Sequence, residues 1–480
     1  MRYGDPREYS SDAFSISRRL NQCANDHDTM PSKKKSKKKR VLTALEFFAG
    51  SGGLSLGVHN AGFTHLALIE RDRNAAETLR QNSQSILGMS PDLVKEEDAA
   101  EVDLTPYIGI TDLLTAGPPC QPFSTAGKSK GYDDPRNMFP VLLDAISLIM
   151  PKAILIENVK GLLRKKFKDA LEYIKLRIKL PKVTVLEGET WRQHYARLQE
   201  VKETDFPDHE QYIVSCQLID TADYGAAQRR ERVFIIAFRR DLGIEPMKLE
   251  PTHSKVALLS DQWITGDYWK RHGVNGVPPD DHIGKKDRAL LEEIRKNPTL
   301  IETGGNRLPW VTVREALSGL PDPVHRGEEP TLANHVQHPG ARTYAQHSGS
   351  YLDYPAKALK AGSNGTPGGE NMLRISSDGA VRYFTTRESG RLQGFPDEWE
   401  FQGVWGACIR QLGNAVPVTV VEKFAIEIRK LLESVLKKSA HNKIHHRAER
   451  VKTDRSSLHL IDHGTAQIGV VSKRDRTARQ

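Results

Sequence analysis

Two adjacent prolines, Pro118 and Pro119, constrain the fold of this chain more than any other feature. They follow the apolar run Ile110-Thr111-Asp112-Leu113-Leu114, which predicts a buried strand, and a central strand cannot continue through proline. Cys120 comes next, so its thiol should lie on a stiff loop at the carboxyl end of that strand. Most free cysteines are buried and inert, but rigid flanks at a ligand-binding sheet edge favour a nucleophile here.

A strand, a glycine turn and a helix are predicted near residue 50. The run 41–48 is apolar and rich in β-formers, Ala49-Gly50-Ser51-Gly52-Gly53 interrupts it, and a helical pattern begins at Leu54. This is the start of a nucleotide-binding βαβ unit. Ser55 occupies the last position of the Gly-x-Gly-x-x-Gly pattern, which disfavours a dinucleotide cofactor.

Two carboxylates end predicted strands at the same sheet edge. The strand His65–Ile69 ends at Glu70, which is placed to accept hydrogen bonds from both hydroxyls of a ribose. The strand Ala153–Ile156 ends at Glu157, where loss of solvent would raise the pKa of the carboxyl group. On the residues alone, Glu157 is either an ordinary charge at a strand end or a candidate proton donor near Cys120.

A predicted pair of strands, Tyr212–Leu218 and Val233–Phe238, brackets a segment with alternating arginines. Gln228, Arg230 and Arg232 lie at the start of the second strand, so both guanidinium groups should face one side. Such groups can hold a phosphate or a base carbonyl.

The net charge of +9 comes from the two ends of the chain. Residues 1–40 carry 11 basic and 5 acidic side chains, and residues 437–480 carry 11 and 4. Both ends are predicted to be disordered, basic tails that can contact a polyanion. Four cysteines without a Cys-x-x-Cys pair argue against disulfides and zinc, and His441, His445 and His446 do not predict a metal site. We expect no metal, no membrane span and a cytoplasmic location.

The segment Gly117-Pro118-Pro119-Cys120-Gln121-Pro122-Phe123-Ser124 resembles the signature of the DNA cytosine-5 methyltransferases, and in particular the bacterial modification methyltransferases. Five further segments resemble the family in its own order, across about residues 41–240 and 381–436. They are Phe48-Ala49-Gly50, Glu157-Asn158-Val159, the Gln-x-Arg-x-Arg pattern of Gln228 to Arg232, Thr386–Asp397 and Gln411–Pro417. Ala227 departs from the proline that is commoner at its position.

The resemblance implies an α/β fold: a Rossmann-like, S-adenosylmethionine-dependent methyltransferase domain with a smaller, irregular target-recognition domain. The expected division is a basic tail (1–40), a catalytic and cofactor domain (41–250), a target-recognition domain (251–380), a hinge (381–404), a return to the catalytic domain (405–440) and a second tail (441–480). Within the recognition region only Thr312–Leu320 predicts a clear helix, and 419–436 predicts a helix that packs on the large domain. Ile178–Pro207 looks like an insertion without an assigned function.

The activity that the resemblance implies is methyl transfer from S-adenosylmethionine to C5 of a cytosine flipped out of duplex DNA. Cys120 would add to C6, and Glu157 would protonate N3 or donate a hydrogen bond to it. Arg232 and Arg230 would hold the base carbonyl and a nearby phosphate and help keep Cys120 ionised. The loop Gly127–Met138 would close over the base.

The resemblance also assigns the cofactor site and the partners. Phe48 would pack on the adenine, Asp98 would contact it, and Asn414 would lie beside the cofactor. The complete expected set of cofactor-binding residues is Phe48, Gly50, Gly52, Gly53, Glu70, Asp98, Pro118 and Asn414. The expected partner is double-stranded DNA read by a monomer within a short specific sequence, with a cognate restriction endonuclease as a genetic partner.

Two other functions are compatible with these motifs. A tRNA cytosine-5 methyltransferase could share them, although the long region 251–381 favours DNA. A DNA-binding relative without catalysis is disfavoured because Cys120, Glu157 and the arginines are all present.

Overall fold

Most of the predicted apolar runs become strands of one seven-stranded sheet. The computed structural model describes residues 40–123, 131–278, 283–303, 307–343, 348–362, 369–375 and 379–437. The chain divides into residues 1–40 and a second unit that begins at Val41. Apart from Arg40 and Lys437, the predicted basic tails lie outside the described residues, as do Ser124 and the first part of the predicted loop, 127–130.

The strands of the described chain, in order, are β1 (Thr43–Phe47), β2 (Thr64–Glu70), β3 (Val94–Glu96), β4 (Leu113–Ala116), β5 (Ala153–Val159), β6 (Tyr212–Asp220), β7 (Gln228–Arg229), β8 (Glu231–Arg239), β9 (His253–Ser254), β10 (Leu308–Pro309), β11 (Ala356–Lys357), β12 (Met372–Arg374) and β13 (Val381–Tyr383). The helices are α1 (Gly53–Asn60), α2 (Arg73–Ser83), α3 (Phe139–Ile149), α4 (Lys168–Lys179), α5 (Trp191–Glu200), α6 (Lys255–Trp263), α7 (Asp267–Arg271), α8 (Lys285–Lys296), α9 (Thr299–Thr303), α10 (Val313–Leu317), α11 (Thr386–Leu392), α12 (Trp405–Asn414) and α13 (418–437). None of these helices is long and apolar enough to cross a membrane.

The large sheet has the order β3-β2-β1-β4-β5-β8-β6. The first five strands are parallel, whereas β8 is antiparallel to both of its neighbours, β5 and β6. The direction of strand addition reverses between β1 and β4, which makes their carboxyl ends the expected ligand-binding crevice. The predicted α/β architecture, with a mostly parallel sheet, is confirmed.

Both faces of the sheet are buried. One apolar core includes Phe139 and Ile146 of α3 with Ile174 of α4, and the other includes Val58 of α1 with Phe424 and Ile428 of α13. The predicted helix at 419–436 is therefore confirmed, and it covers the large sheet from the far end of the sequence. A β-carbon on Gly53 would lie 2.3 Å from the Val416 carbonyl oxygen, so glycine is required where α1 meets the segment leading into α13.

Two predicted strand boundaries were wrong. The strand expected from Ile110 begins only at Leu113, and the Ile110 side chain is exposed. The strand starts late because the buried side chain of Asp112 accepts a hydrogen bond from the backbone N–H of Thr43. The strand that was expected to stop at Ile156 continues to Val159, pairing with β8 throughout. Glu157 therefore lies inside a strand, opposite Phe234.

The region expected to be irregular contains short helices and strand pairs. Helices α6 to α9 occupy much of residues 255–303, and their cores include Leu258, Trp269 and Leu291. The helix predicted at Thr312–Leu320 spans only Val313–Leu317, and its first turn is closed by reciprocal hydrogen bonds between Thr312 and Glu315. The pairing of β11 with β7 attaches this region to the segment that leads into β8.

A carboxyl group that the sequence did not single out lies in the middle of the sheet. The side chain of Glu46 in β1 is fully buried and accepts hydrogen bonds from Ser55 (2.9 Å) and Thr115 (3.2 Å). Burial raises the pKa of Glu46 to about 8, against the opposing effect of these hydroxyl groups. The folded chain therefore keeps a proton that the unfolded chain releases near pH 4.5.

Glu46→Gln is expected to remove a pH dependence of folding stability. Stability from the retained proton is complete below about pH 4.5 and is lost as pH rises to about 8, at roughly 1.4 kcal/mol for each pH unit in that window. Urea unfolding at pH 5.5, 6.5 and 7.5 should show a shallower decline for E46Q than for the wild type. E101Q, which changes an exposed carboxyl group, is the control; parallel profiles for the wild type and E46Q would contradict the assignment.

Candidate active site

A cavity of about 590 Å³ opens at the carboxyl ends of β1, β2, β4 and β5. Of the twelve residues that the sequence nominated for catalysis or cofactor binding, every one except Gly52 lines it. The fold therefore brings together Cys120 with Glu157, Arg230 and Arg232 at one part of the lining, and the glycine turn with Glu70, Asp98 and Asn414 at another. The roles proposed for these residues stay predictions, but their convergence is a property of the structure.

Cys120 lies four residues beyond the end of β4, on the loop that the two prolines begin. Two hydrogen bonds hold the loop in place. The Pro118 carbonyl accepts one from the Asn158 side chain (3.2 Å), and the Cys120 carbonyl accepts the other from the Phe123 N–H (3.0 Å). Asn158 is the neighbour of Glu157 in β5. The same strand that presents the carboxyl group therefore also fixes the loop of the thiol.

Glu157 and Arg232 form an ion pair. Arg232 Nε lies 2.7 Å from Glu157 Oε1, and both side chains are largely shielded from solvent. Their positions follow from the sheet, because Glu157 is on β5 and Arg232 on the adjoining strand β8. Burial raises the pKa of Glu157, and the charges of Arg232 and Arg230 oppose this rise.

The two arginines have different surroundings. Arg230 is buried, and its terminal nitrogens donate to the backbone carbonyls of Leu359 (2.8 Å) and Gly413 (2.6 Å). Burial lowers the pKa of Arg230 to about 9, which leaves it charged at neutral pH. Its Nε has no partner among the described residues. Arg230 thus ties together two distant segments of the cavity wall, whereas the role in base binding expected for it stays a prediction.

The thiol of Cys120 is not held ionised in this structure. Burial raises the pKa of Cys120, the negative charge of Glu157 raises it further, and Arg232 and Arg230 only partly oppose these effects. Arg232 and Arg230 act in the expected direction, because their charges lower the pKa of the thiol, but burial outweighs them and the pKa stays raised.

The glycine turn is organised around Glu70. One carboxylate oxygen of Glu70 accepts the Gly50 N–H (2.7 Å), and the other accepts the Asp72 N–H (2.6 Å). The adjacent Phe48 adopts a left-handed backbone conformation with φ of 57°, which turns the chain sharply after β1. Burial raises the pKa of Glu70, while the backbone donors oppose that rise. Carboxylate oxygens can accept further hydrogen bonds, so the group stays able to bind hydroxyls.

Gly52 has a structural position instead of a place in the lining. It precedes α1 with φ of 94°, and a β-carbon there would approach Trp399 to 2.6 Å.

Asp98 accepts hydrogen bonds from Arg71 (3.1 Å) and from the Ala100 N–H (3.1 Å). Asn414 is the exposed last residue of α12, adjacent to the carbonyl that Arg230 binds.

Three further cationic residues that sequence reasoning missed line the cavity: Arg71, Arg73 and Arg410. Arg71 pairs with Asp98, and Arg410 lies 3.4 Å from Asp72. The sequence does indicate Arg71 and Arg73, because they follow Glu70 at the carboxyl end of a parallel strand. No signal of that kind marks Arg410, which reaches the site from α12.

Comparison with known proteins connects this geometry to a chemistry. The family described as C-5 cytosine-specific DNA methylase matches residues 42–180 and 189–430. The chain is 30% identical over 401 residues to the type II methyltransferase M.Eco47II of Escherichia coli, covering 83% of this chain and 81% of that protein. It is 29% identical over 402 residues to the type II methyltransferase M.NgoMIV of Neisseria gonorrhoeae, covering 82% and 98%.

A solved structure shares the fold. It is described as a DNA modification methyltransferase encoded within a prophage of E. coli, and it superposes with a TM-score of 0.50 at 19% identity, covering 82% of this chain and 99% of that one.

Proposed function

Since the chain belongs to the C-5 cytosine-specific DNA methylase family and is a DNA cytosine-5 methyltransferase, we propose that it transfers methyl groups from S-adenosylmethionine to a flipped-out cytosine through a covalent Cys120–C6 adduct. The observation that carries the proposal is the convergence of Cys120, Glu157 and Arg232 in one cavity with the glycine turn and Glu70. The type II methyltransferases among its relatives support action within a short specific sequence, as the modification partner of a restriction endonuclease.

The cavity suits a nucleoside-containing methyl donor. Glu70 offers a half-buried carboxylate whose position is fixed by the N–H groups of Gly50 and Asp72, which is appropriate for a ribose. Gly50 has φ of 56°, and a β-carbon there would meet nothing within 4 Å, so the backbone leaves open space beside it. Phe48, Asp98 and Asn414 would complete the site. S-adenosylmethionine, when bound, supplies an electrophilic methyl group on a sulfonium.

Cys120 gives the reaction its nucleophile. Cytosine C5 is a weak nucleophile, and addition of the Cys120 thiolate to C6 converts C5 into an enamine carbon that can accept the methyl group. The new S–C6 bond pushes electron density onto N3, where Glu157 donates a proton or a hydrogen bond. Loss of the C5 proton to a base then restores the C5–C6 double bond and expels the thiolate.

Arg232 prepares Glu157 for this step. Its Nε holds one carboxylate oxygen at 2.7 Å, which fixes the direction of the other oxygen. The target atom is inaccessible in a stacked duplex, so the base has to enter the cavity from outside the helix, at a cost of roughly a few kcal/mol. Entry of a neutral base and departure of water would change the surroundings of both Cys120 and Glu157.

Transfer of labelled methyl from S-adenosylmethionine to mixed-sequence duplex DNA tests the proposal, with tRNA assayed in parallel. We expect label in DNA, located at cytosine C5 after digestion to nucleosides. Label in tRNA with none in DNA would contradict the assignment of DNA as the substrate. Absence of label from both, with the methyl donor still bound, would overturn catalysis and favour a binding protein.

A further inference from the structure

The segment 178–207, which the sequence marked as an insertion, contacts the far end of the loop that carries Cys120. The match to the family stops at residue 180 and resumes at 189, so part of this segment belongs to this chain and not to the family pattern. The segment contains α5 and the short turn Glu203–Asp205 that follows it. Only residues 181–188 lie outside the family match, and α5 lies inside it, so the insertion predicted at 178–207 was too long; the name insertion is kept below for the whole segment.

The insertion builds a small core of its own against α4. Leu180, Val183 and Leu198 are buried with Tyr173, and Trp191, Tyr195 and Phe206 pack around them. The buried His194 joins the layers, with one ring nitrogen 2.8 Å from the Tyr173 hydroxyl and the other 3.0 Å from the Val183 carbonyl. Burial lowers the pKa of His194 to about 4, so it is neutral at physiological pH. This core gives the insertion a fixed structure packed against α4.

Trp191 carries the contact with the active-site loop. Reciprocal hydrogen bonds between Thr190 and Gln193 fix the first turn of α5, and this fixes the direction in which the Trp191 side chain projects from the helix. Its indole N–H donates to Asp133 Oδ1 at 2.6 Å, and its ring lies 5.2 Å from that of Tyr132. Arg192 adds a longer, exposed ion pair to the same carboxylate at 3.2 Å.

Tyr132 and Asp133 are connected to the Cys120 loop by their neighbour Gly131. The Gly131 N–H donates to the carbonyl of Pro122 (3.0 Å), two residues after Cys120. Gly131 has φ of 70°, and a β-carbon there would lie 2.8 Å from Phe167, so the approach is tight. Phe167 in turn packs edge-on against Phe123 at 5.3 Å. The contacts thus run without interruption from Trp191 to the residues beside the nucleophile.

We propose that the insertion is a brace for the nucleophile loop, with Trp191 and Asp133 as positioning residues that hold Gly131 against Pro122 and thereby fix Cys120. The inference rests on the proposed function, because it concerns the rate at which Cys120 reaches cytosine C6. A displacement of about 1 Å at a reacting group can cost on the order of 10²-fold in rate. Loss of the brace should therefore slow the chemical step and leave binding of the methyl donor unchanged.

Trp191→Phe and Asp133→Ala test the brace. W191F keeps an aromatic ring beside Tyr132 but has no N–H, and D133A removes the acceptor. We expect each to lower the single-turnover rate of methyl transfer by roughly tenfold or more, with the Kd for S-adenosylmethionine within about twofold of wild type. D133N retains an oxygen that can accept the indole N–H, and since the exposed pair with Arg192 contributes little, it should retain most of the rate.

Glu189→Gln is the matched control. Glu189 pairs with Arg197 within the insertion and does not belong to the contacts around Asp133, so E189Q perturbs the insertion away from the loop. Its rate should stay within about twofold of wild type. Wild-type rates in W191F and D133A, or an equal loss in E189Q, would overturn the brace while the wild-type enzyme still methylates DNA. A wild-type protein that methylates nothing would overturn the proposed function itself.

Discussion

Cys120→Ser is expected to lower methyl transfer to duplex DNA by at least about 10⁴-fold. A serine hydroxyl is far harder to ionise than a thiol and is a weaker nucleophile, so its addition to C6 is much slower. The shape of the loop should survive, because Cys120 takes part in the loop hydrogen bonds through its backbone carbonyl. The measurement is single-turnover transfer of labelled methyl with saturating DNA.

Cys216→Ser is the control for this change. Cys216 is an exposed thiol on β6, outside the cavity lining, and its replacement should leave the rate within about twofold of wild type. Calorimetry should show that C120S still binds S-adenosylmethionine. A C120S protein that binds the donor and transfers methyl at one-tenth of the wild-type rate or faster would show that Cys120 is not the nucleophile.

Glu157→Gln is expected to lower methyl transfer by about 10²- to 10⁴-fold, the range for loss of a general acid. The amide can still donate a hydrogen bond, but it cannot deliver a proton to N3. The same substitution should have the opposite effect on the free thiol. The charge of Glu157 raises the pKa of Cys120, so its removal lowers that pKa and increases the thiolate fraction at a given pH.

Alkylation of Cys120 by iodoacetamide measures the second effect. With C216S as the background, modification of Cys120 at pH 8 should be faster in E157Q than in the parent, and in the parent it should accelerate as pH rises towards the raised pKa of the thiol. Unfolding would also slow methyl transfer and speed alkylation, because burial is the main cause of the raised pKa of the thiol, so E157Q must keep the wild-type Tm for the effect to be assigned to the lost charge. Slower alkylation in E157Q would contradict the electrostatic coupling of the two residues.

The sequence predicted the elements of the fold that depend only on a local pattern of residues. The strands β1, β2, β6 and β8 were found because apolar runs were bounded by glycine, charge or turns. The convergence of Cys120 with Glu157 followed from the rule that carboxyl ends of parallel strands share an edge. The boundary at Ile110 was missed because hydrophobicity cannot reveal that the neighbouring Asp112 is buried and bound to Thr43.

Other features depend on contacts between distant residues. Arg230 carried the same sequence signal as Arg232, yet its partners are the carbonyls of Leu359 and Gly413, far along the chain. The raised pKa of Cys120 likewise reflects the total burial at the site, which no motif encodes. Helix α8 was missed for another reason: Leu291 and Ile294 do repeat at helical spacing, but the glycines and prolines of the whole region concealed this local pattern.

The most direct test of the account is to trap the adduct. Duplex DNA in which 5-fluorocytosine replaces cytosine at the target position would be incubated with the wild-type protein and S-adenosylmethionine, because fluorine at C5 cannot leave as a proton and the S–C6 bond then persists. We expect a covalent protein–DNA complex whose cross-linked peptide, identified by mass spectrometry, is attached through Cys120. Methylation of the ordinary duplex together with no trapped complex, or attachment through another residue, would contradict it.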